Sequence, residues 1–251
     1  MTQQGRAACS TRWRRGAALG VVCAALALAA SRLHAAQVLT VEVGPGAERG
    51  TYVLDATVLL DARPVALRHI ITHLCEHKDQ MENLSYCRVF EAQGRQSWSY
   101  AVVDLPVLNP RDYVIRSTVE QELAADGTGT YKSCWDVAPD KGPPPRKGFV
   151  RLQLNQGCWV LNPSHGGKKT SLIYQVRLNP GGVVPGWAAG YVARRTLPDY
   201  MALLERLAQA QEAAGVPPPD PEQPWRGLNV RALDNPLPPS RGPLPLLAPP
   251  P

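Results

Sequence analysis

The sequence predicts an α+β fold: a curved antiparallel sheet closed over by one long C-terminal helix. Three observations predict it. Apolar and polar residues alternate with period two through most of 54–178. Glycine-bearing turns punctuate that stretch at Gln93-Gly94, Asp126-Gly127 and Gly166-Gly167. After Gly182 the period becomes helical and stays so to about Gln211. An antiparallel sheet that curls needs its concave face covered, and only the last helix is long enough to cover it. The space between them is then either packed solid or a cavity.

From the N-terminus, residues 1–36 read as an export signal. Arg12, Arg14 and Arg15 form a positive start, Gly16 to Ala30 is an almost unbroken apolar run, and Ala35-Ala36 offers a cleavage site. About 15 apolar residues fall short of the roughly 20 that a span needs. A cleaved leader and a periplasmic or secreted protein are therefore expected, with an uncleaved N-terminal membrane anchor as the alternative. The residues after Arg14-Arg15 fit a twin-arginine signal poorly, and Val22 before Cys23 disfavours a lipoprotein. The leader also explains the formal charge of +6: Arg6, Arg12, Arg14, Arg15 and Arg32 precede residue 37 with no acid among them. Without those five, 22 basic side chains face 21 acidic ones, a balance of +1, so no nucleic-acid partner is expected. Ordinary apolar (44%) and charged (19%) fractions exclude a wholly disordered chain.

One domain, expected as a monomer, fills 37–215. Leu54, Ala56, Val58 and Leu60 share one face of a strand, with Asp55, Thr57 and Asp61 on the other. Pro64 opens a helix on which Leu67, Ile70, Ile71 and Leu74 recur. Strands follow at 86–92, 97–104, 113–123, 130–137, 149–161 and 170–178. Trp187, Tyr191, Leu197, Met201, Leu204 and Leu207 or Ala208 make the apolar stripe of the last helix. Residues 216–251 hold 13 of the 25 prolines and almost no apolar periodicity, so they read as a disordered, extended spacer. No internal repeat is present.

Cys9 and Cys23 leave with the leader, and Cys75, Cys87, Cys134 and Cys158 remain. An even number in an oxidising compartment suggests two disulfides, with three possible connectivities. Cys75 with Cys87 closes the shortest loop and would leave Cys134 with Cys158; buried free thiols are the alternative. None sits in a Cys-x-x-Cys pair, which disfavours redox catalysis and a zinc ribbon.

Four blocks resemble a known family. Asn179-Pro180-Gly181-Gly182-Val183-Val184-Pro185-Gly186-Trp187, followed by Pro198, resembles the start of the terminal helix in START domains, the lipid-transfer domains related to the steroidogenic acute regulatory protein. Asp104-Leu105-Pro106 with Arg111-Asp112-Tyr113-Val114 resembles that family's Arg-Asp-aromatic-Val strand. Gly157-Cys158-Trp159-Val160-Leu161-Asn162-Pro163 and the run from Thr170 to Val176 resemble its paired strands. The blocks cover about 104–200, with looser similarity from about 50. The resemblance implies a helix-grip fold, an exported bacterial member, and non-enzymatic binding and transfer of a lipid or other hydrophobic small molecule with transient membrane contact. Some relatives carry a charged pair in the tunnel, with an Arg six residues after the first Arg of the motif; here that position is Ser117, and Arg116 has the opposite parity.

Catalytic and metal chemistry find little support. His69, His73 and His77 with Glu76 form a helical stripe, but at about 100° per residue it lies opposite Leu67, Ile71 and Leu74 and is expected to face solvent. Its ends are about 12 Å apart, too far for one ion, so no metal is expected. There is no Gly-x-Ser-x-Gly elbow, and His165 beside Ser164 lacks an acid partner. Arg111 and Asp112 read as an ion pair bracing the strand entrance, with a catalytic or ligand-orienting pair as the alternative. No cofactor is expected. The cavity walls are expected to be Trp98, Tyr100 and Val102, then Trp159, Leu161, Leu172, Tyr174 and Val176, with Trp187, Tyr191, Met201 and Leu204 on the lid. Ser117, Tyr174 or Tyr191 would choose the head group, and Gly181-Gly182 would serve as hinge. The alternative reading is a helix-grip enzyme, cyclase- or hydrolase-like, which needs titratable residues inside the cavity; another is an interaction module acting through the Pro-rich end.

Overall fold

The structure, a computed structural model, describes residues 36–105, 108–182 and 196–241. The elements run β1 (Gln37–Pro45), β2 (Tyr52–Leu60), α1 (Pro64–Thr72), a 3₁₀ helix (Leu74–Gln80), β3 (Leu84–Gln93) and β4 (Gln96–Val103). They continue β5 (Arg111–Gln121), β6 (Tyr131–Val137), β7 (Val150–Arg151), β8 (Leu154–Ser164), β9 (Lys169–Asn179) and α2 (Leu197–Ala214). The strands form one curved sheet in the order β1-β2-β9-β8-β6-β5-β4-β3, antiparallel except that β7 pairs parallel with β5. This is the predicted helix-grip arrangement, with the C-terminal helix against the sheet. Two details differ. β1, whose side chains are mostly exposed or half-buried, carries too weak an alternation to read, and the run 149–161 breaks at Leu152-Gln153 into β7 and β8.

The core sits where both helices meet β2, β8 and β9. Ala56, Val58 and Leu60 of β2, Leu67 and Ile70 of α1, Leu161, Leu172, and Met201, Leu204 and Ala208 of α2 are buried together. Each such side chain, fully buried, is worth about 1.5–3 kcal/mol. Three polar side chains of α2, one of them the buried Glu205, hold its C-terminal half to the turn after β2. Glu205 accepts from the Asp61 N–H at 2.8 Å, Gln209 donates to the Asp61 carbonyl at 2.8 Å, and Glu212 accepts from the Arg63 N–H at 2.6 Å. No described helix is long and apolar enough to cross a membrane.

At the end of β9, Gly181 and Gly182 both take φ +63°, a left-handed conformation that glycine adopts freely. Arg111 of β5 holds this reversal by donating to the Pro180 and Gly181 carbonyls at 3.3 and 3.5 Å. Arg111 and Asp112 do not pair with each other as expected, because neighbours on a strand point to opposite faces. Asp112 instead takes a bidentate bond from Arg151, at 2.9 Å to each oxygen, and a third from the Tyr100 hydroxyl at 2.8 Å. Disulfides join Cys75 to Cys87 and Cys134 to Cys158, the second pair lying directly opposite each other on β6 and β8.

The largest departure is the C-terminus. Residues 216–241 do not hang free as a spacer. They form a strap in the same compact unit as the sheet. Side chains of α1, β3 and two loops grip its backbone: Arg95 of the β3–β4 turn donates to the Pro221 carbonyl (2.9 Å), Arg68 to Pro224 (2.6 Å), Arg88 to Ala232 (2.9 Å) and Arg146, before β7, to Pro238 (3.0 Å). The Arg231 N–H donates to the Val89 carbonyl at 3.0 Å, covering part of the β3 edge. Leu233 and Leu237 pack on Tyr86, Tyr100, Val102 and Val114, forming a second apolar cluster. Proline content suppressed the apolar period, but it also lowers the entropy lost on ordering an extended chain.

Candidate functional site

Between the sheet and α2 lies a cavity of about 530 Å³, a volume in the range that ligand sites occupy. Ser97, Ser99, Ala101 and Val103 of β4, Tyr113, Ile115 and Ser117 of β5, and Tyr131, Ser133 and Trp135 of β6 line its floor. Tyr200 and Leu203 of α2 border it on the helix side, and the 3₁₀ helix and β3, tied by Cys75–Cys87, contribute Leu74, Met81, Leu84 and Val89. Trp225 of the strap also borders it. One wall is aromatic. Trp159 stacks on Tyr174 with ring centroids 4.1 Å apart, and Trp135 and Tyr200 stand 5.9 and 6.1 Å from Trp159. Gly157 makes room for this wall, since a Cβ there would meet the Trp135 ring at 2.5 Å.

The expected wall residues divide. Trp159 and Tyr174 border the cavity. Trp98, Tyr100 and Val102 do not: they point to the opposite face, where Tyr100 and Val102 are buried against the strap and Phe149. Both faces of β4 are buried, so hydrophobicity could not pick the inner one. The apolar set went to the filled side and the serines to the hollow side. Leu161 and Leu172 share the inner face with Trp159 and Tyr174 but lie in the packed core, and Val176 lies at that core's margin. Met201 and Leu204 belong to the core as well, because α2 turns a neighbouring stripe, Tyr200 and Leu203, to the cavity. Trp187 and Tyr191 lie outside the described residues. Ser117 lines the cavity as expected, and Tyr113, Tyr200 and Trp225, not expected there, line it too. A tryptophan isolated in a Pro-rich stretch was the available signal for the last.

The electrostatics are uneven. Among the described lining residues the acids and bases are Glu82, Asp199 and Arg206, all exposed at the margin. The interior holds phenols. Burial pushes the Tyr113 hydroxyl up to about 12, and raises those of Tyr131, Tyr174 and Tyr200 further, so all stay neutral at physiological pH. Among the described residues the Tyr131 hydroxyl and the Trp225 indole N–H are buried without a hydrogen-bond partner. The histidine stripe departs from its expected solvent face. α1 ends at Thr72, His73 is 3% exposed and bonds the His69 carbonyl through Nδ1, and His69 stacks on it at 4.1 Å. Burial, with His73 beside it, lowers the His69 pKa to about 4. Ser164, half-buried at the end of β8, and His165, exposed in the turn after it, stand away from the lining.

No family model matches the chain. An uncharacterized protein of Pseudomonas aeruginosa is 34% identical over 103 residues, 41% of this chain and 48% of that one, so the match spans about half of that relative's length. Among solved structures, a STAR-related lipid transfer protein from Xanthomonas axonopodis superposes with TM-score 0.56 at 23% identity, covering 69% of this chain and 98% of that one. Human StAR-related lipid transfer protein 5 gives TM-score 0.57 at 16% identity, covering 71% and 88%. An aromatase/cyclase from Streptomyces is looser, at TM-score 0.46 and 13% identity over 66% and 99%. The chain has the START-like helix-grip fold.

Proposed function

We propose that this domain is an exported carrier that holds a lipid or comparable hydrophobic small molecule beneath α2 and releases it to a membrane or acceptor. The observation that carries the reading is the hollow itself: about 530 Å³ between the sheet and its covering helix, walled by Trp135, Trp159, Tyr174 and Tyr200. Each methylene taken from water is worth about 0.8 kcal/mol. A bilayer core offers nearly the same environment, so burial alone does not drive extraction, and the protein acts by lowering the barrier to aqueous passage. Among the described residues, the acids and bases of the lining stand exposed at its margin, which favours carriage over catalysis. Export is supported by the 1–36 leader and by two disulfides, which persist in oxidising compartments. With a balance of +1 in the remaining chain, a monomeric carrier with transient membrane contact and no nucleic-acid partner fits.

Native mass spectrometry of the protein purified from its own host tests this. A mass above that of the mature chain, lost on organic extraction and identified as an unaltered hydrophobic molecule, is the expected result. A chemically altered product of an added substrate would mark an enzyme, and a chain that copurifies with nothing and takes up no hydrophobic fluorescent probe would overturn the carrier reading.

A further inference from the structure

Three tyrosines from three separate elements meet at the aromatic end of the cavity: Tyr113 from β5, Tyr174 from β9 and Tyr200 from α2. The rings of Tyr174 and Tyr200 meet edge to face at 6.4 Å. Tyr113 lines the same cavity from the sheet floor. Phenols turned toward an interior ordinarily find a hydrogen-bond partner. The tyrosines on the opposite face do so, since Tyr100 donates to Asp112 at 2.8 Å and Tyr86 accepts from the Asp234 N–H at 3.5 Å. Among the described residues, the hydroxyls of Tyr113, Tyr174 and Tyr200 have no such bond. All three residues are half-buried and line the cavity, so their hydroxyls are left to whatever the cavity holds.

Resting on the carrier reading, we propose that Tyr113, Tyr174 and Tyr200 form a subsite that seats an uncharged oxygen group of the ligand, a hydroxyl or a carbonyl. Phenols both donate and accept, which suits either group. An ionised head fits poorly there. The basic residue of the described lining, Arg206, is exposed at the margin, and a carboxylate or phosphate among the three rings would lose its hydration without gaining a counter-charge. The cargo class is therefore a neutral amphiphile whose polar end is buried in the aromatic wall.

The test uses the full chain, stripped of bound material, and two fluorescent probes with the same polyene chain: cis-parinaryl alcohol and, at pH 8, ionised cis-parinaric acid. The alcohol is expected to bind about 10-fold tighter or more, in line with the cost of burying an unpaired charge. Tyr113→Phe, Tyr174→Phe and Tyr200→Phe should each weaken alcohol binding about 2- to 10-fold, the worth of one hydrogen bond, and weaken acid binding by a smaller factor. Equal binding of both probes, or indifference of the alcohol to all three substitutions, overturns the subsite and leaves the carrier standing. Binding of neither probe overturns the carrier and the subsite with it. Should a variant fail to fold, the comparison of the two probes on the unaltered chain still decides.

Discussion

The two faces of β4 and β5 draw on the same kinds of residue and end in opposite states. On one face Tyr100, Val102 and Val114 meet Phe149 and the strap's Leu233 and Leu237, with no polar atom of the Tyr100–Asp112–Arg151 group left over. On the other, Ser97, Ser99, Tyr113 and Ser117 look into a void. A filled layer is closed by partners encoded in the chain. A hollow one keeps hydroxyls without partners, and what completes it comes from outside.

Breaking the filled face should be the most damaging. Asp112→Ala leaves Arg151 buried without its counter-charge and is expected to cost about 3–5 kcal/mol in a urea melt; a loss below about 1 kcal/mol would show that the group is wetter than its burial implies. Truncation after Gly215 removes the cover of this face. Regained chain entropy offsets much of the lost burial, so a net loss of about 2–3 kcal/mol, or about 4–12 °C in melting temperature, is expected. An unchanged melting temperature would mean the strap merely rests on the sheet.

The same substitution on either face sharpens the contrast. Tyr100→Phe takes a donor from a buried carboxylate and should cost about 1.5–3 kcal/mol. Tyr131→Phe removes a buried hydroxyl that has no described partner and should be neutral or stabilising by up to about 1 kcal/mol in the empty protein. Equal losses for both would erase the distinction between the faces.

The last expected effect is a pH dependence, confined to alkaline solution. Burial raises Tyr113 to about 12 from its ordinary value of 10. Its contribution to stability is complete below the unfolded pKa and is lost as pH rises from 10 towards 12, because the unfolded chain gives up the proton first. Thermal melts of Tyr113→Phe should fall less steeply across that window than those of the unaltered protein; parallel curves would show that the ring is more hydrated than its position suggests.

Much of the fold was legible because one signal decided it. Leu54, Ala56, Val58 and Leu60 alternate against a polar face, and the period turns helical at Pro64 and again after Gly182. The site was less so, for a physical reason. Alternation identifies a buried face only when the other face is wet, and β4 is buried on both. Trp98, Tyr100 and Val102 therefore claimed the inner side on hydrophobicity, while the true inner set, with Ser97 and Ser99, looked like a solvent face. On α2 the stripe of Met201 and Leu204 was visible, but whether it met packed core or void depended on where α1 sits, which a single helix does not encode. The strap was hidden by its prolines, which erase periodicity without preventing Trp225, Leu233 and Leu237 from being buried or half-buried.

The strap's anchors have a consequence for how its sequence can drift. Arg68, Arg88, Arg95 and Arg146 seize main-chain oxygens, which every residue type carries, and so most side chains along 216–241 are free to change. Spacing is another matter. An extended chain advances about 3.1 Å per residue, so a single deletion after Pro221 would carry each later oxygen past the arginine waiting for it. This stretch should tolerate substitution widely and gaps hardly at all.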